Sequence, residues 1–226
     1  MGPTGSGKSS FIQLATGHEQ VTIGHDLRSC THEVQAFRCP HPIDSGRSVI
    51  FIDTPGFDDT NTKDTDILKS IADWLTETYK NGITLTGLLF LHRITDNRMA
   101  GTPLRNLHMF ERLCGIDALQ NVMLVTTMWD EVYDMAIGLA HEEELKAKYW
   151  NSMLNVGSRI LRFGYTHQSA WTIVDQFTGI RDRVPLQLQV ELVDEGKDLS
   201  QTAAGSALYQ WLEGLITQLR ELLAKL

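Results

Sequence analysis

The chain begins Met1-Gly2-Pro3-Thr4-Gly5-Ser6-Gly7-Lys8-Ser9, and this stretch decides its fold. The pattern Gly-x-x-x-x-Gly-Lys-Ser is a complete phosphate-binding P-loop. Its glycines let the backbone curl until successive N–H groups point inward at a phosphate. Lys8 adds a positive charge for the outer phosphates, and Ser9 supplies the hydroxyl that binds magnesium in such loops. The stretch therefore predicts a site for a nucleoside di- or triphosphate.

The phosphate contacts should continue into the helix that follows the loop. That helix begins near Ser9, and its N-terminal end adds positive partial charge at the phosphates. The residues expected to contact the nucleotide here are Gly2, Pro3, Thr4, Gly5, Ser6, Gly7, Lys8, Ser9 and Ser10. A P-loop ordinarily follows a buried strand, yet only Met1 precedes Gly2. We expect that strand upstream of Met1; the alternatives are another segment of the chain or a strand from a partner.

Composition excludes several classes of protein. The 226 residues are 42% apolar and include five Trp, which is typical of a folded globular domain. A net charge of −8 argues against a general nucleic-acid or anionic-membrane surface. We find no apolar run long enough to span a bilayer and no signal peptide. The three cysteines share no metal-site spacing. We therefore expect a cytoplasmic protein with reduced thiols, no nucleic-acid partner and no membrane span.

A second motif follows a short apolar run. Ser48-Val49-Ile50-Phe51-Ile52 is typical of a strand buried on both faces. It ends in Asp53-Thr54-Pro55-Gly56, where Asp53 is expected to hold magnesium through water and the Gly56 N–H to approach a γ-phosphate. Asp-x-x-Gly is a weak signal alone, but it becomes strong when it follows a P-loop.

Strands and helices alternate along the rest of the chain. We predict a three-layer α/β fold of the P-loop NTPase type, with a mostly parallel sheet and helices on both faces, over residues 1–180. The stretch Val184–Val193 fits either a strand or a helix. Apolar residues from Leu208 to Leu226 recur three and four apart, which predicts a long amphipathic helix. This C-terminal extension, residues 181–226, should pack on the domain or in a dimer. Ligands should bind outside the carboxyl ends of the strands.

The order of four features along the chain carries a family resemblance. They are the P-loop, Thr31, the Asp53–Gly56 motif and Thr127-Met128-Trp129-Asp130. The chain resembles a G domain of the translation-factor-related GTPase class. Its motif sequences look closest to those of the septin-like branch and of fungal G-domain proteins. The septin-like branch holds septins, chloroplast import receptor GTPases and immunity-associated GTPases. The resemblance implies GTP and GDP as ligands with Mg²⁺. It also implies that Thr31 is the switch I threonine, which senses magnesium and the γ-phosphate beside Ser9 and Asp53.

The guanine-reading motif departs from the Asn/Thr-Lys-x-Asp pattern of that class. Asp130 is retained, and its carboxylate can accept the two adjacent N–H groups that guanine offers and adenine lacks. Met128 supplies neither the charge nor the hydrogen bonds of the usual lysine. We therefore expect Thr127, Trp129 and Asp130 to bind guanine with weakened affinity, and use of ATP is the alternative. The base-contacting loop near residues 163–166 is placed only by its order in the chain.

The catalytic residues depart as well. Phe57 stands where Ras-like enzymes carry a water-orienting glutamine, and a phenyl ring cannot position water. By the resemblance, Arg93 acts in trans across a homodimer formed through the nucleotide face, and joins Lys8, Thr31 and Gly56 in catalysis. A surface ion pair is an equal alternative for Arg93. His92 and Arg98 are weaker candidates.

The leading hypothesis is a cytosolic, magnesium-dependent GTPase that hydrolyses GTP slowly and is stimulated by dimerisation. The second hypothesis is a nucleotide-gated scaffold with negligible hydrolysis, which exposes its terminal helix to a protein effector. A small-molecule kinase is third, because the sequence contains no arginine-rich lid segment.

Overall fold

The computed structural model describes residues 1–17, 34–58, 62–97, 99, 101–180 and 182–209. Strands in this part are β1 (Gln35–Pro40), β2 (Ser48–Asp53), β3 (Leu88–Arg93), β4 (Val122–Thr127) and β5 (Arg159–Arg162). The α-helices are α1 (Lys8–Thr16), α2 (Asp64–Lys80), α3 (Thr102–Cys114), α4 (Met135–Glu144), α5 (Asn151–Asn155), α6 (His167–Val174) and α7 (Gln187–Gln189). The π-helical turns Leu145–Tyr149 and Val190–Asp194 follow α4 and α7. Thr31 lies outside the described residues.

The sheet is mixed. β3, β4 and β5 pair in parallel, whereas β1 and β2 form an antiparallel hairpin. The first residues run between the two groups of strands: the Leu91 N–H donates to the Met1 carbonyl at 2.9 Å, and Pro3 forms a parallel bridge with Phe57. The predicted α/β fold with parallel strands and helices is confirmed.

Side chains of β4 divide the core into two layers. Val122 and Leu124 pack into a cluster with α2 and α3. Met123 and Val125 pack on the opposite face with α1 and α6. All four are fully buried. The alternation of side chains along a strand thus places helices on both faces of the sheet.

Strand β2 differs from its prediction. Phe51 is buried against Phe11 of α1, but Ile50 is 58% exposed. The strand was expected to be buried on both faces, and this was wrong, because alternate side chains of β2 point away from α1. The prediction mistook a run of apolar residues for two-sided burial.

Two helical predictions also changed in detail. Within the ambiguous stretch 184–193, residues 187–193 are helical, and Gln189 Nε2 donates to the Leu75 carbonyl at 3.1 Å. Residues 203–209 are helical too, with Ala204 and Leu208 buried in the core. Residues 210–226, which hold most of the predicted terminal helix, lie outside the described residues. Among the helices that the structure describes, none is long and apolar enough to cross a membrane.

We expect Phe110→Ala to destabilise the fold severely. Phe110 is fully buried, and its ring centroid lies 4.8 Å from that of Phe90. The substitution should lower the free energy of unfolding by about 3–5 kcal/mol, because it leaves a cavity between α3 and β3. Urea denaturation measures this, with the exposed Ile116→Ala as the control. Equal stability of the two variants would contradict this core assignment.

Candidate nucleotide-binding site

The P-loop takes a backbone conformation that only glycine adopts easily. The φ angles of Gly2, Gly5 and Gly7 are 138°, 77° and 87°. A Cβ on Gly2 would overlap the carbonyl oxygen of Leu91. Gly7 is the N-cap of α1 and provides no side-chain cap, so the first N–H groups of the helix are left for another acceptor. The loop is therefore built to receive an anion.

Neighbouring segments fix this loop in place. The Thr127 hydroxyl lies 3.0 Å from the Ser6 carbonyl oxygen and 3.3 Å from that of His92, and shares its proton between them. The Thr4 N–H donates to the Phe57 carbonyl at 2.7 Å. Thr127 thus ties the P-loop to the end of β4, although the sequence suggested only a base contact for it.

Lys8 and Gly56 meet at the P-loop. The Lys8 ammonium donates to the carbonyls of Gly2 and Pro3 at 3.1 and 2.8 Å. A Cβ on Gly56 would lie 2.8 Å from Lys8 Nζ, and the Thr4 hydroxyl donates to the Gly56 carbonyl at 3.1 Å. The structure therefore brings together the two motifs from which phosphate contacts were expected.

Ser9 and Asp53 also lie together. The Ser9 hydroxyl donates to Asp53 Oδ2 at 2.8 Å, and Asp53 is buried at the end of β2. Two hard oxygen donors suit Mg²⁺, which takes its remaining ligands from phosphates and water. In the described ranges, no group of three or more His, Cys, Asp or Glu side chains could hold a metal ion by itself. Magnesium at Ser9 and Asp53 would thus arrive with a phosphate ligand.

One buried polar group inside the loop also fits a phosphate ligand. The Ser6 side chain is fully buried, and its hydroxyl has no hydrogen-bond partner among the described residues. A buried hydroxyl without a partner is costly unless a ligand or water satisfies it. Ser10, the last predicted contact of this segment, lies half-buried on the first turn of α1.

The base-reading segment follows β4 directly. Met128 has a left-handed backbone with φ 60°, and its Cε lies 3.9 Å from the position of a Cβ on Gly7. The Met128 side chain thus lies beside the P-loop. Asp130 is exposed on the 3₁₀ turn Trp129–Glu131, where it can face a ligand.

The Trp129 ring is held by contacts with neighbouring residues. The indole N–H donates to Thr126 Oγ1 at 2.9 Å. The ring lies under Arg162, whose Cζ is 4.1 Å from the ring centroid, and against Gly138 of α4. The Trp129 ring thus contacts Thr126, Gly138 and Arg162 in this structure.

Arg93 lies beside its own P-loop. Its Nε is 2.9 Å from Asp96 Oδ1, and its Nη1 is 3.2 Å from the position of a Cβ on Gly5. The guanidinium thus makes the ion pair that the sequence left open, at the rim of the phosphate site. Neighbouring His92 is 3% exposed, and burial lowers its pKa to about 4. His92 is therefore neutral at neutral pH and cannot neutralise phosphate charge. Arg98 lies outside the described residues.

Sequence reasoning missed two residues that shape the site. Arg162 ends β5 and stacks on Trp129, and Glu142 of α4 holds Arg162 through two hydrogen bonds. Neither belongs to a motif. The only signal in the sequence is the position of Arg162 at the carboxyl end of a strand, where ligand sites of such folds lie.

Comparison with known proteins now identifies the domain. A family model described as "50S ribosome-binding GTPase" matches residues 1–121. The chain belongs to this GTPase family. Among curated protein sequences, none matches the chain.

Solved structures share the fold of this GTPase. A dimerization-deficient arginine-to-alanine mutant of Toc33 from Arabidopsis thaliana has a TM-score of 0.57 and 15% identity, over 80% of this chain and 84% of Toc33. Toc33 in complex with GDP and Mg²⁺ has a TM-score of 0.52 and 17% identity, over 72% and 67% of the two chains. The complex with Mg²⁺ and GMPPNP has a TM-score of 0.52 and 18% identity over the same shares. At this identity the likeness establishes the G-domain fold.

His92 should make this GTPase sensitive to acid. Its folded pKa is about 4, because burial disfavours the charged form, so the unfolded chain takes the proton first. The contribution of neutral His92 to the free energy of unfolding is fully present above about pH 6.5. It decreases as the pH drops to about 4, by roughly 3 kcal/mol in total. His92→Gln should flatten the pH dependence of urea denaturation in this window. The exposed His108→Gln is the control, and an unchanged slope in His92→Gln would contradict the buried neutral imidazole.

Proposed function

We propose that this GTPase binds GTP and GDP with Mg²⁺ and hydrolyses GTP slowly. The observation that carries the proposal is the meeting of Lys8 with Gly56, and of Ser9 with Asp53, on one side of the P-loop. Membership of a GTPase family agrees with this chemistry. Toc33, whose fold the domain shares, is described in complexes with GDP and Mg²⁺ and with GMPPNP and Mg²⁺.

Each residue expected at the phosphate and metal site has a proposed role. The main chain of residues 2–10 and the Lys8 ammonium hold the phosphates. Ser9, Thr31 and Asp53 hold magnesium, which when bound neutralises charge between the β- and γ-phosphates. The Gly56 N–H contacts the γ-phosphate. Because Gly56 packs against Thr4 and Lys8, arrival of a γ-phosphate requires this contact to adjust.

Guanine is the proposed base. The exposed Asp130 carboxylate accepts two N–H groups from guanine, whereas adenine would present it with a ring acceptor. Met128 lies along the P-loop without the charge of a lysine, so the affinity should be weaker than a lysine would give. An ATP-using NTPase is the alternative for this reason.

Hydrolysis is proposed to be slow and to depend on a homodimer across the nucleotide face. Phe57 is 1% exposed and packs in the core, so it cannot orient water. Arg93 lies at the rim of the phosphate site and is the residue that we propose to cross into the partner's site. An arginine-to-alanine mutant of Toc33 is dimerization-deficient, and dimerization is important for the GTPase activity of Toc33 and psToc159. We propose a cytosolic location and a protein effector.

A nucleotide-gated scaffold is the second candidate. Phe57 is the observation that favours it, because its backbone bridges Pro3 while its side chain is buried in the core. Movement at the phosphate site would then reach the rest of the fold without hydrolysis. In this candidate the bound nucleotide sets the dimer state of the G domain at 1–180, and the terminal helix of the extension at 181–226 is exposed to the effector.

Lys8→Ala should abolish binding of Mg²⁺-GDP. The change removes the ammonium that lies within the loop, and we expect affinity to fall by about 100-fold or more. Isothermal titration calorimetry measures this, with circular dichroism to verify folding. The control is Lys69→Ala, because Lys69 is exposed on α2 and forms an ion pair with Asp73. Retained micromolar affinity in Lys8→Ala would refute the site.

Arg93→Ala should remove the dependence of GTP turnover on protein concentration. The parent is expected to turn over faster per molecule as the dimer forms, whereas the variant should stay about tenfold or more slower at high concentration. GDP affinity should change by less than about threefold. The control is the exposed Arg47→Ala. Equal turnover in parent and variant excludes the arginine in trans, and no turnover at any concentration favours the scaffold.

A further inference from the structure

The base-reading loop needs support that its own motif does not provide. Met128 replaces the motif lysine and holds a left-handed backbone, a conformation that a non-glycine residue keeps only when its surroundings enforce it. Asp130, two residues later, is exposed. Some neighbouring group must therefore fix the direction of the Asp130 backbone.

Trp129, between these two residues, is held on three sides. Its indole N–H donates to Thr126 Oγ1 at 2.9 Å. One edge of the ring packs so closely on Gly138 that an added Cβ would lie 3.1 Å from Trp129 Cζ3. The Arg162 guanidinium covers the ring at 4.1 Å from its centroid, which is cation–π geometry.

Arg162 is itself locked by a buried carboxylate. Its Nε and Nη2 donate to the two carboxylate oxygens of Glu142 at 2.8 and 2.6 Å. Glu142 is 4% exposed and also accepts from Lys146 at 3.1 Å. The hydrogen bonds from Arg162, and then those from Lys146, hold the Glu142 pKa below its usual range, so the carboxylate stays charged. A paired fork of this kind fixes the plane of the guanidinium.

We propose that Arg162, held by Glu142, is a positioning residue for guanine. By clamping Trp129 it fixes the turn that carries Asp130, and it supplies the rigidity that the missing lysine would give. This inference rests on the proposed role of Asp130. Phosphate binding should not depend on the clamp, because Thr127 ties the P-loop to β4 separately.

The test compares GDP with inosine diphosphate, which lacks the exocyclic amino group that Asp130 would bind. Calorimetry with Mg²⁺ gives both affinities for the parent, Arg162→Met, Arg162→Lys and Glu142→Gln. Arg162→Met keeps an apolar stem over Trp129 but removes the charged fork. Arg159→Met is the matched control on the same strand, because Arg159 is exposed and bonds only to Gln176 in the described structure.

The parent and the Arg159→Met control should favour GDP over inosine diphosphate by about tenfold or more. In Arg162→Met this ratio should fall below about threefold, and inosine diphosphate affinity should fall less than GDP affinity, because inosine offers Asp130 one N–H group where guanine offers two. Glu142→Gln should lower the ratio in part. Arg162→Lys should restore some of the ratio lost in Arg162→Met, because it keeps the charge without the fork.

Two results overturn the positioning role. One is that Arg162→Met favours GDP over inosine diphosphate as strongly as the parent does. The other is that Arg162→Met loses affinity for both diphosphates by the same factor, which indicates general destabilisation. Urea denaturation identifies variants that fail to fold, and Glu142→Gln then provides the comparison that decides. If the parent binds both diphosphates equally, both the Asp130 role and the clamp are wrong. If the parent binds neither, the proposed nucleotide site itself fails.

Discussion

The close approach of the P-loop backbone to β3 is the constraint on which the rest of the site depends. Gly2 runs so near the Leu91 carbonyl that any side chain there would collide with it. With positive φ angles at Gly2, Gly5 and Gly7, the chain turns within a few residues into α1. Phosphate binding, magnesium binding and the position of Lys8 all follow from this turn.

The groups that position the loop are also those to which we assign the ligand contacts. Thr127 closes the base-reading strand and bonds to Ser6, while Gly56 and Phe57 carry the γ-phosphate motif and bond to Thr4. Phosphate, metal and base sites are thus joined by a few hydrogen bonds at the carboxyl ends of the strands. Because these hydrogen bonds join neighbouring segments directly, a substitution that breaks one of them should also displace the adjoining segments.

The sequence predicted the fold class correctly, because the glycine spacing of a P-loop and the alternation of strands and helices have few alternative explanations. Sequence patterns were less informative about the direction in which individual side chains point. The apolar run at Ile50 suggested two-sided burial, whereas Ile50 is exposed. No motif indicated that the Trp129 ring contacts Thr126 and Arg162. The Glu142–Arg162 pair joins a helix to a strand through residues 20 positions apart, so no local pattern could reveal it.

Calorimetric titration of the purified chain with Mg²⁺-GDP and Mg²⁺-ADP tests the central claim most directly. The account predicts saturable binding of GDP, which the P-loop grips by its phosphates, and binding of ADP that is about tenfold or more weaker, because Asp130 has no donor to accept from adenine. Equal or tighter binding of ADP would contradict the assignment of Asp130 as the base-reading residue. Failure of the folded protein to bind either nucleotide would contradict the account as a whole.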